Sequence, residues 1–374
     1  MSGQPIPAPL SDADGRKFLN REVSWLEFNY RVLHEALDPR TPLLERLGFL
    51  AIYNSNLDEF YQKRVGGLRR QIEAGVLTRT PDGMSTEEAL AAVRAIVLRH
   101  LEAQAACYTR DIRPALASQG IHLLKWDELT EKERQAATDY FRSHLFPVLT
   151  PLAVDPGHPF PFISNLSTSL GVMLRHPGEE AGDRGPVADG TGGLHFARVK
   201  VPKVLPRWIT LTSGEFPAGV YRFISVEQII RHNLADLFEG MEIVAVEPFR
   251  ITRNADIERD EDDAEDLLEM IEQELRDRRF AKPVRLEVDN DPHHPMNRFL
   301  IGELGLEEDD VYQMPAELDY TDLWTVHRVN KPELKYEPWT PVVPPRLSDE
   351  DTDIFGVIRN GDLLVHHPYE SFSA

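Results

Sequence analysis

The feature that most constrains this chain is a change of apolar period at Gly120. Before it, apolar residues recur at helical spacing. Leu26, Tyr30, Leu33 and Leu37 form one such row, widened by Trp25, Phe28 and Val32. Leu57, Tyr61, Val65 and Leu68 form another, and Val93, Ile96, Val97, Leu101 and Ile112 a third. Recurrence at three and four residues places side chains on one helix face. The punctuation agrees with this reading. Ser24–Glu27 and Ser85–Glu88 have the form of capping boxes, and Asp38-Pro39 ends the first helix. Thr41-Pro42 opens the next, a third helix starts or is capped at Asn56 or its neighbours, and Pro81-Asp82-Gly83 is a turn. Residues 17–118 are therefore expected to form an all-α bundle, behind a flexible lead-in at 1–16.

After Gly120 the runs are short and alternating. Residues 163–174, 194–201, 221–224, 241–251 and 284–288 read as strands, and 131–145, 226–238 and 261–279 as helices. Strands mixed with separate helices predict an α+β domain over 119–328. A Pro-rich connector, KPELKYEPWTPVVPPR, occupies most of 329–347. A short helix at 348–360 and a strand at 362–365 then follow. At 374 residues the chain is too long for one simple core.

Bulk chemistry narrows the class. A net charge of -21 argues against wholesale coating of nucleic acid, yet leaves room for a polyanion in a local basic pocket. No apolar run approaches the ~20 residues of a membrane span, and the first residues lack the pattern of a signal peptide. The single cysteine, Cys107, excludes an internal disulfide and reads as a small core residue. A cytoplasmic setting fits best, with membrane association left open.

Several places have the right residues for chemistry. In NSNLDEFYQKRVGGLRRQ (54–71), amides and acids precede Lys63, Arg64, Arg69 and Arg70. An amide such as Asn56 offers a donor and an acceptor, so it can read a base edge or cap a helix. Glu59 and Lys63 are spaced as a surface pair, and Gly66-Gly67 implies close packing of a neighbouring backbone. Arg198 and Lys200 share one strand face, which either borders a polyanion path or is solvated. Asp155 and His158 offer two metal donors without a third, so the loop 155–165 reads as structural. The acidic run 258–266 lacks the spacing of a calcium loop and suits a helix first turn. The Gly- and Pro-rich segment 177–193 reads as a surface loop, whose GTGG lacks the Lys of a phosphate loop. No Ser-His-Asp or Cys-His set is identifiable from spacing.

FLNREVSWLEFNYRVLHEA, PLLERLGFLAIYNSNLDEFYQKRVGGLRRQ, LTPLAVDPGHPFPFISNLS, FRITRNADIERDEDDAEDLLEMIEQEL and IFGVIRNGDLLVHHPYESF together resemble the polyphosphate kinase family, which makes long-chain polyphosphate from ATP. The resemblance extends in order from about residue 17 to 372. It implies a helical N-terminal domain, a head domain and, at 348–374, the beginning of a phospholipase-D-like α/β catalytic domain. It implies reversible transfer of the ATP terminal phosphate to polyphosphate through a phosphohistidine, with Mg2+, in a dimer or tetramer. Asn56 matches the family's ATP-contacting asparagine, while Arg64, Arg198 and Lys200 become candidate polyanion or interdomain contacts. The catalytic histidines and magnesium ligands have no matching positions here. His366 and His367 match an entry strand upstream of the nucleophile. The 374 residues alone are therefore expected to be inactive. The alternative is a non-catalytic oligomerisation or polyphosphate-binding module.

Overall fold

The computed structural model describes residues 18–154, 160–177, 194–211, 217, 219–255, 281–289, 294–348 and 353–371. The lead-in at 1–16, Asp155 and His158, segment 178–193 and the predicted helix at 261–279 with its acidic run lie outside the described residues. Residues 1–330 form one compact unit and 331–374 a second.

The first part is helical, as the period predicts. Helix α1 spans Arg21–Leu37 and α2 spans Leu43–Phe60. A π-helical turn, Tyr61–Val65, passes directly into α3, Gly66–Glu73. Helix α4, Thr86–Ala106, continues through a second π-helical turn at Cys107–Ile112 into α5, Arg113–Ser118. The Ser85–Glu88 capping box forms, with Ser85 Oγ accepting from Glu88 N at 3.2 Å. The one expected at Ser24 does not. Asn20 caps α1 instead, its Oδ1 accepting from Glu22 N at 3.0 Å and Val23 N at 3.1 Å, so the helix starts a turn earlier. Nor does a helix start at Asn56. Helix α2 runs through it unbroken: the Asn54 amide donates to Asp58 within the helix and to Asp319 beyond it, and the Asn56 amide donates to Asn29 of α1, so neither serves as a cap.

Beyond Gly120, a left-handed residue with φ 77°, come β1 (Ile121–Leu124), α6 (Glu131–Tyr140), β2 (Leu152–Val154), β3 (Thr168–Arg175) and β4 (His195–Lys200). There follow β5 (Trp208–Thr210), β6 (Tyr221–Ser225), α7 (Val226–His232), β7 (Glu242–Arg253), β8 (Pro283–Val288), α8 (Pro295–Leu304), β9 (Val311–Gln313) and α9 (Trp324–His327). Among the described residues these strands make a three-stranded sheet, β1-β6-β5, and a six-stranded one, β2-β4-β3-β7-β8-β9. The β1–β6 and β8–β9 pairs are parallel and the rest antiparallel.

The large sheet is covered on both faces. Leu170, Val172, Leu174, Ala197 and Val199 pack with Phe141 and Leu145 behind α6 and with Ile229 and Ile230 of α7. The alternate residues Met173, Phe196, Phe249, Ile251 and Leu286 pack under Met296, Phe299 and Leu300 of α8. Gly171 leaves the room that Met296 and Phe196 fill. On the first face, beyond the apolar core, the alternation continues with Arg250, Thr252, Arg285 and Glu287, and α2 lies against this polar end.

In the second unit, α10 spans Ile354–Arg359, capped by Asp353 Oδ1 and Oδ2 at 3.1 and 3.0 Å. Arg346 donates to the carbonyls of Val357, Gly361 and Asp362. The strand expected at 362–365 is not formed: these residues have no ladder partner among the described residues, and a strand exists only as one of a pair. The one bridge described here joins Val342 to Glu370.

Candidate functional site

Asn56 is half-buried on α2, and its surroundings come from two helices. Asn29 lies on the core row of α1 between Leu26 and Leu33 and is fully buried. Its Nδ2 donates to the Tyr53 carbonyl at 3.1 Å, and its Oδ1 accepts from Asn56 Nδ2 at 3.0 Å. One turn before Asn29, Trp25 stacks on Phe60 with centroids 4.6 Å apart and planes at 17°. A pocket of about 250 Å³ is lined by Arg21, Glu22, Ser24, Trp25, Phe60 and Arg64. The pocket thus brings together a planar aromatic stack, an Arg21–Glu22 ion pair and the Arg64 guanidinium, and the Asn56 amide lies one helical turn before Phe60 on α2. Aromatic faces hold flat rings, amides read ring edges, and guanidinium groups take phosphate.

The helix bearing Asn56 is tied to the head on its other side. At 3.6 residues per turn, Asp58 points about 200° away from Asn56. There Arg250 grips Asp58 with both terminal guanidinium nitrogens, Nη1 to Oδ1 at 2.9 Å, and also reaches Glu287 at 2.7 Å and Asp319 at 3.3 Å. Arg285 pairs with Asp58 and with Glu287 at 3.3 Å, and stacks over the Tyr61 ring at 4.3 Å. Burial alone would push the Asp58 carboxyl up, but Arg250 and Arg285 outweigh it and hold it below its ordinary value. Burial wins at Glu287, whose carboxyl is raised despite both arginines.

The π-helical turn adds backbone contacts. Gln62 O accepts from Ala255 N at 2.9 Å, and Gln62 Oε1 from Asn165 Nδ2 at 2.9 Å. The close approach expected at Gly66-Gly67 occurs at Gly66, where a methyl group would overlap the Asn254 side chain, so the neighbour is a side chain rather than a backbone.

The other predicted residues are distributed as follows. Arg64 is exposed, lines the aromatic pocket and forms no ion pair with a described residue. Lys63 pairs with Glu59 on the helix surface, as the spacing predicts. Arg69 reaches Asp310 and Glu307. Arg198 is buried on β4, where its Nε donates to Ser169 Oγ at 3.0 Å and its Nη1 to the Phe162 carbonyl at 3.3 Å. Burial pulls the Arg198 guanidinium down to about 10. Lys200 is half-buried and reaches Ser164 Oγ at 3.3 Å. Among the described residues no hydrogen bond joins Asn56 or Arg64 to Arg198 or Lys200; the Gln62–Asn165 contact joins the π-helical turn that carries Arg64 to the segment 162–165, whose Phe162 carbonyl and Ser164 hydroxyl hold Arg198 and Lys200.

Sequence reading singled out the stretch that holds Asp58 and Phe60 but missed Asn29, the stacking of Trp25 on Phe60 and the arginine partners of Asp58. One signal was present: Asn29 interrupts an apolar row with an amide, and a buried amide must find partners. Cys107 is buried, as expected, with burial raising its thiol. Among the described residues no three His, Cys, Asp or Glu side chains are placed to hold a metal ion, and no helix is long and apolar enough to cross a membrane.

The sequence profile of the polyphosphate kinase N-terminal domain matches residues 18–124, and that of the polyphosphate kinase middle domain matches 132–326. The chain belongs to the polyphosphate kinase family. It is 46% identical over 359 residues to the polyphosphate kinase of Mycolicibacterium gilvum, covering 96% of this chain and 48% of that protein. It is 46% identical over 361 residues to that of Streptomyces coelicolor, covering 96% of this chain and 46% of that one. A crystal structure of polyphosphate kinase from Porphyromonas gingivalis shares the fold, with a TM-score of 0.74 at 24% identity over 95% of this chain and 48% of that chain. The chain spans about half the length of the curated relatives it matches.

Proposed function

We propose that this chain supplies the adenine seat and the head scaffold of a polyphosphate kinase. In the complete enzyme the terminal phosphate of ATP moves to a histidine nitrogen as its bond to ADP breaks. The terminal oxygen of polyphosphate then takes it from that nitrogen, and both steps reverse. Such transfer is mainly positioning and neutralisation of charge. On this reading Asn56 reads the base beside the Trp25–Phe60 stack, Arg64 and Lys200 belong to the polyanion side, and the buried Arg198 supports that side through the Phe162 carbonyl. The helical domain is residues 17–118, the head 119–328, the linker 329–347, and 348–374 open the phospholipase-D-like catalytic domain. Mg2+ would supply charge neutralisation when bound. The described residues offer no ligand set for it, so no step is derived through it.

The observation that supports the reading best is the oriented Asn56 amide one helical turn before Phe60, which lines an aromatic pocket bearing Arg64. The test is an ATP-dependent chain-extension assay on the 374-residue chain beside a version continued through the second half present in its relatives. Extension by the longer version alone is expected. Extension, or a histidine-bound phosphate, in the short chain overturns the assignment, and His366 and His367 are then the first residues to replace. Within the short chain, Asn56→Ala is expected to weaken ATP binding on the order of tenfold, the worth of one well-placed hydrogen bond.

A self-associating role has its own support. Phe18, Leu19 and Leu77 are 60%, 81% and 88% exposed on the helical part, which suits a homo-oligomer. Light scattering that finds only a monomer at all concentrations counts against it.

A further inference from the structure

Resting on the adenine seat proposed above, we infer that Asn29 is a positioning residue that sets the polarity of Asn56 and thereby selects a purine with an amino group at its 6-position. A backbone carbonyl has lone pairs and no proton, so the Tyr53 oxygen, 3.1 Å away, can face only the NH2 end of the Asn29 amide. That turns Asn29 Oδ1 toward Asn56 at 3.0 Å. An amide oxygen also only accepts, so Asn56 must present its own Nδ2 there. The polarity is relayed through two amides from one helix carbonyl, so Asn56 turns Oδ1 away from Asn29 and keeps the second N–H of Nδ2 on the Asn29 side. Asn29 is fully buried, so water cannot scramble the relay by offering either end a substitute partner.

The consequence is chemical. Asn56 Oδ1 can accept from the 6-amino group of adenine. A purine with oxygen at that position opposes it with a second acceptor. Freely rotating, an asparagine serves either; held by Asn29, it favours the one that meets Oδ1. Asn29 touches no nucleotide and acts only through Asn56. A role confined to joining α1 to α2 would alter the affinity of all purine nucleotides together, and a relay alters their ratio.

The experiment is titration calorimetry of the 374-residue chain with ATP and with inosine triphosphate, which differs from ATP at the 6-position and its adjoining ring nitrogen. The unmutated chain is expected to prefer ATP on the order of tenfold or more, one hydrogen bond gained against one acceptor–acceptor contact. Asn29→Leu frees Asn56 and brings the two nucleotides to within about twofold, mostly by tighter inosine triphosphate binding. Asn29→Asp, protonated at the oxygen facing Tyr53, keeps both hydrogen bonds and restores the preference. Equal binding of both nucleotides by the unmutated chain, with both weakened in Asn56→Ala, overturns the relay and leaves the adenine seat standing. So does an ATP preference unchanged in a folded Asn29→Leu chain. Failure to bind ATP, or ATP binding indifferent to Asn56→Ala, overturns the seat and the relay with it. The comparison on the unmutated chain keeps the inference open to refutation if Asn29→Leu does not fold.

Discussion

The two faces of the six-stranded sheet hold buried arginines in opposite ways. On one, Arg250 and Arg285 meet Asp58, Glu287 and Asp319. Burial would lower both guanidinium groups, but these acids raise them instead. On the other, Arg198 and Arg253 meet hydroxyl and carbonyl oxygens. Arg253 donates to the carbonyls of Ile163 and Ala281 at 2.9 and 2.7 Å and lies over the Phe162 ring at 4.4 Å. Burial lowers both, with no described carboxylate to oppose it. The first set welds a helix to the sheet. The second fastens the covering segment 162–164. A helix brings side chains, so it can bring a countercharge; an irregular segment brings unpaired carbonyls, which a guanidinium fork satisfies. Glu227 is the acidic mirror of Arg198. Burial, then Glu317 and Asp289, push its carboxyl up to about 7.

The largest expected effect is at the weld. Asp58→Ala leaves Arg250 and Arg285 short of a countercharge and should cost about 3–5 kcal/mol in denaturant unfolding. A loss below about 1 kcal/mol would show that the two faces do not differ. Gly66→Ala comes next. It gains helix propensity but forces Asn254 aside, and a net loss of about 1–2 kcal/mol is expected. Arg198→Met should cost only about 1 kcal/mol, because the lost hydrogen bonds are offset by relief of a buried unpaired charge. If it matches Asp58→Ala, the comparison fails. The smallest effect concerns pH. Glu227 and Asp289 titrate near 7 in the folded chain against ordinary values of 4.5 and 3.8, so the folded form holds protons that the unfolded form has released. Stability therefore falls as pH rises toward and through 7. The melting temperature should drop by roughly 2–4 °C from pH 6 to pH 8, less so in Glu227→Gln. Asp58, held low, contributes nothing to that change; its share is lost only in acid, as pH falls through its depressed folded value.

Much of the fold was legible because period and punctuation are local. The helical rows, the Ser85–Glu88 cap and the longer strands follow from them, and so do the Lys63–Glu59 pair and the burial of Cys107. Strands of three or four residues, β1, β2, β5 and β9, carry too few alternations to read. Helix α8 had its markers, Pro295 at the first position and Gly305 at φ 63° after the last, and they went unread. The cap at Asn20 also answers to tertiary structure, since its Nδ2 donates to Asp82 Oδ2, 62 positions away, at 3.1 Å.

The candidate site divides along the same line. Sequence alone determined the family and singled out Asn56, through a stretch long enough to be specific. It placed Asn56 at a helix start, where an amide caps. Only the tertiary structure put it inside α2, opposite a charge cluster drawn from β7, β8 and the segment before α9, and beside an asparagine 27 positions earlier. The reason is physical. A side-chain amide takes its role from whichever partners satisfy its hydrogen bonds, and at Asn56 that partner comes from another helix.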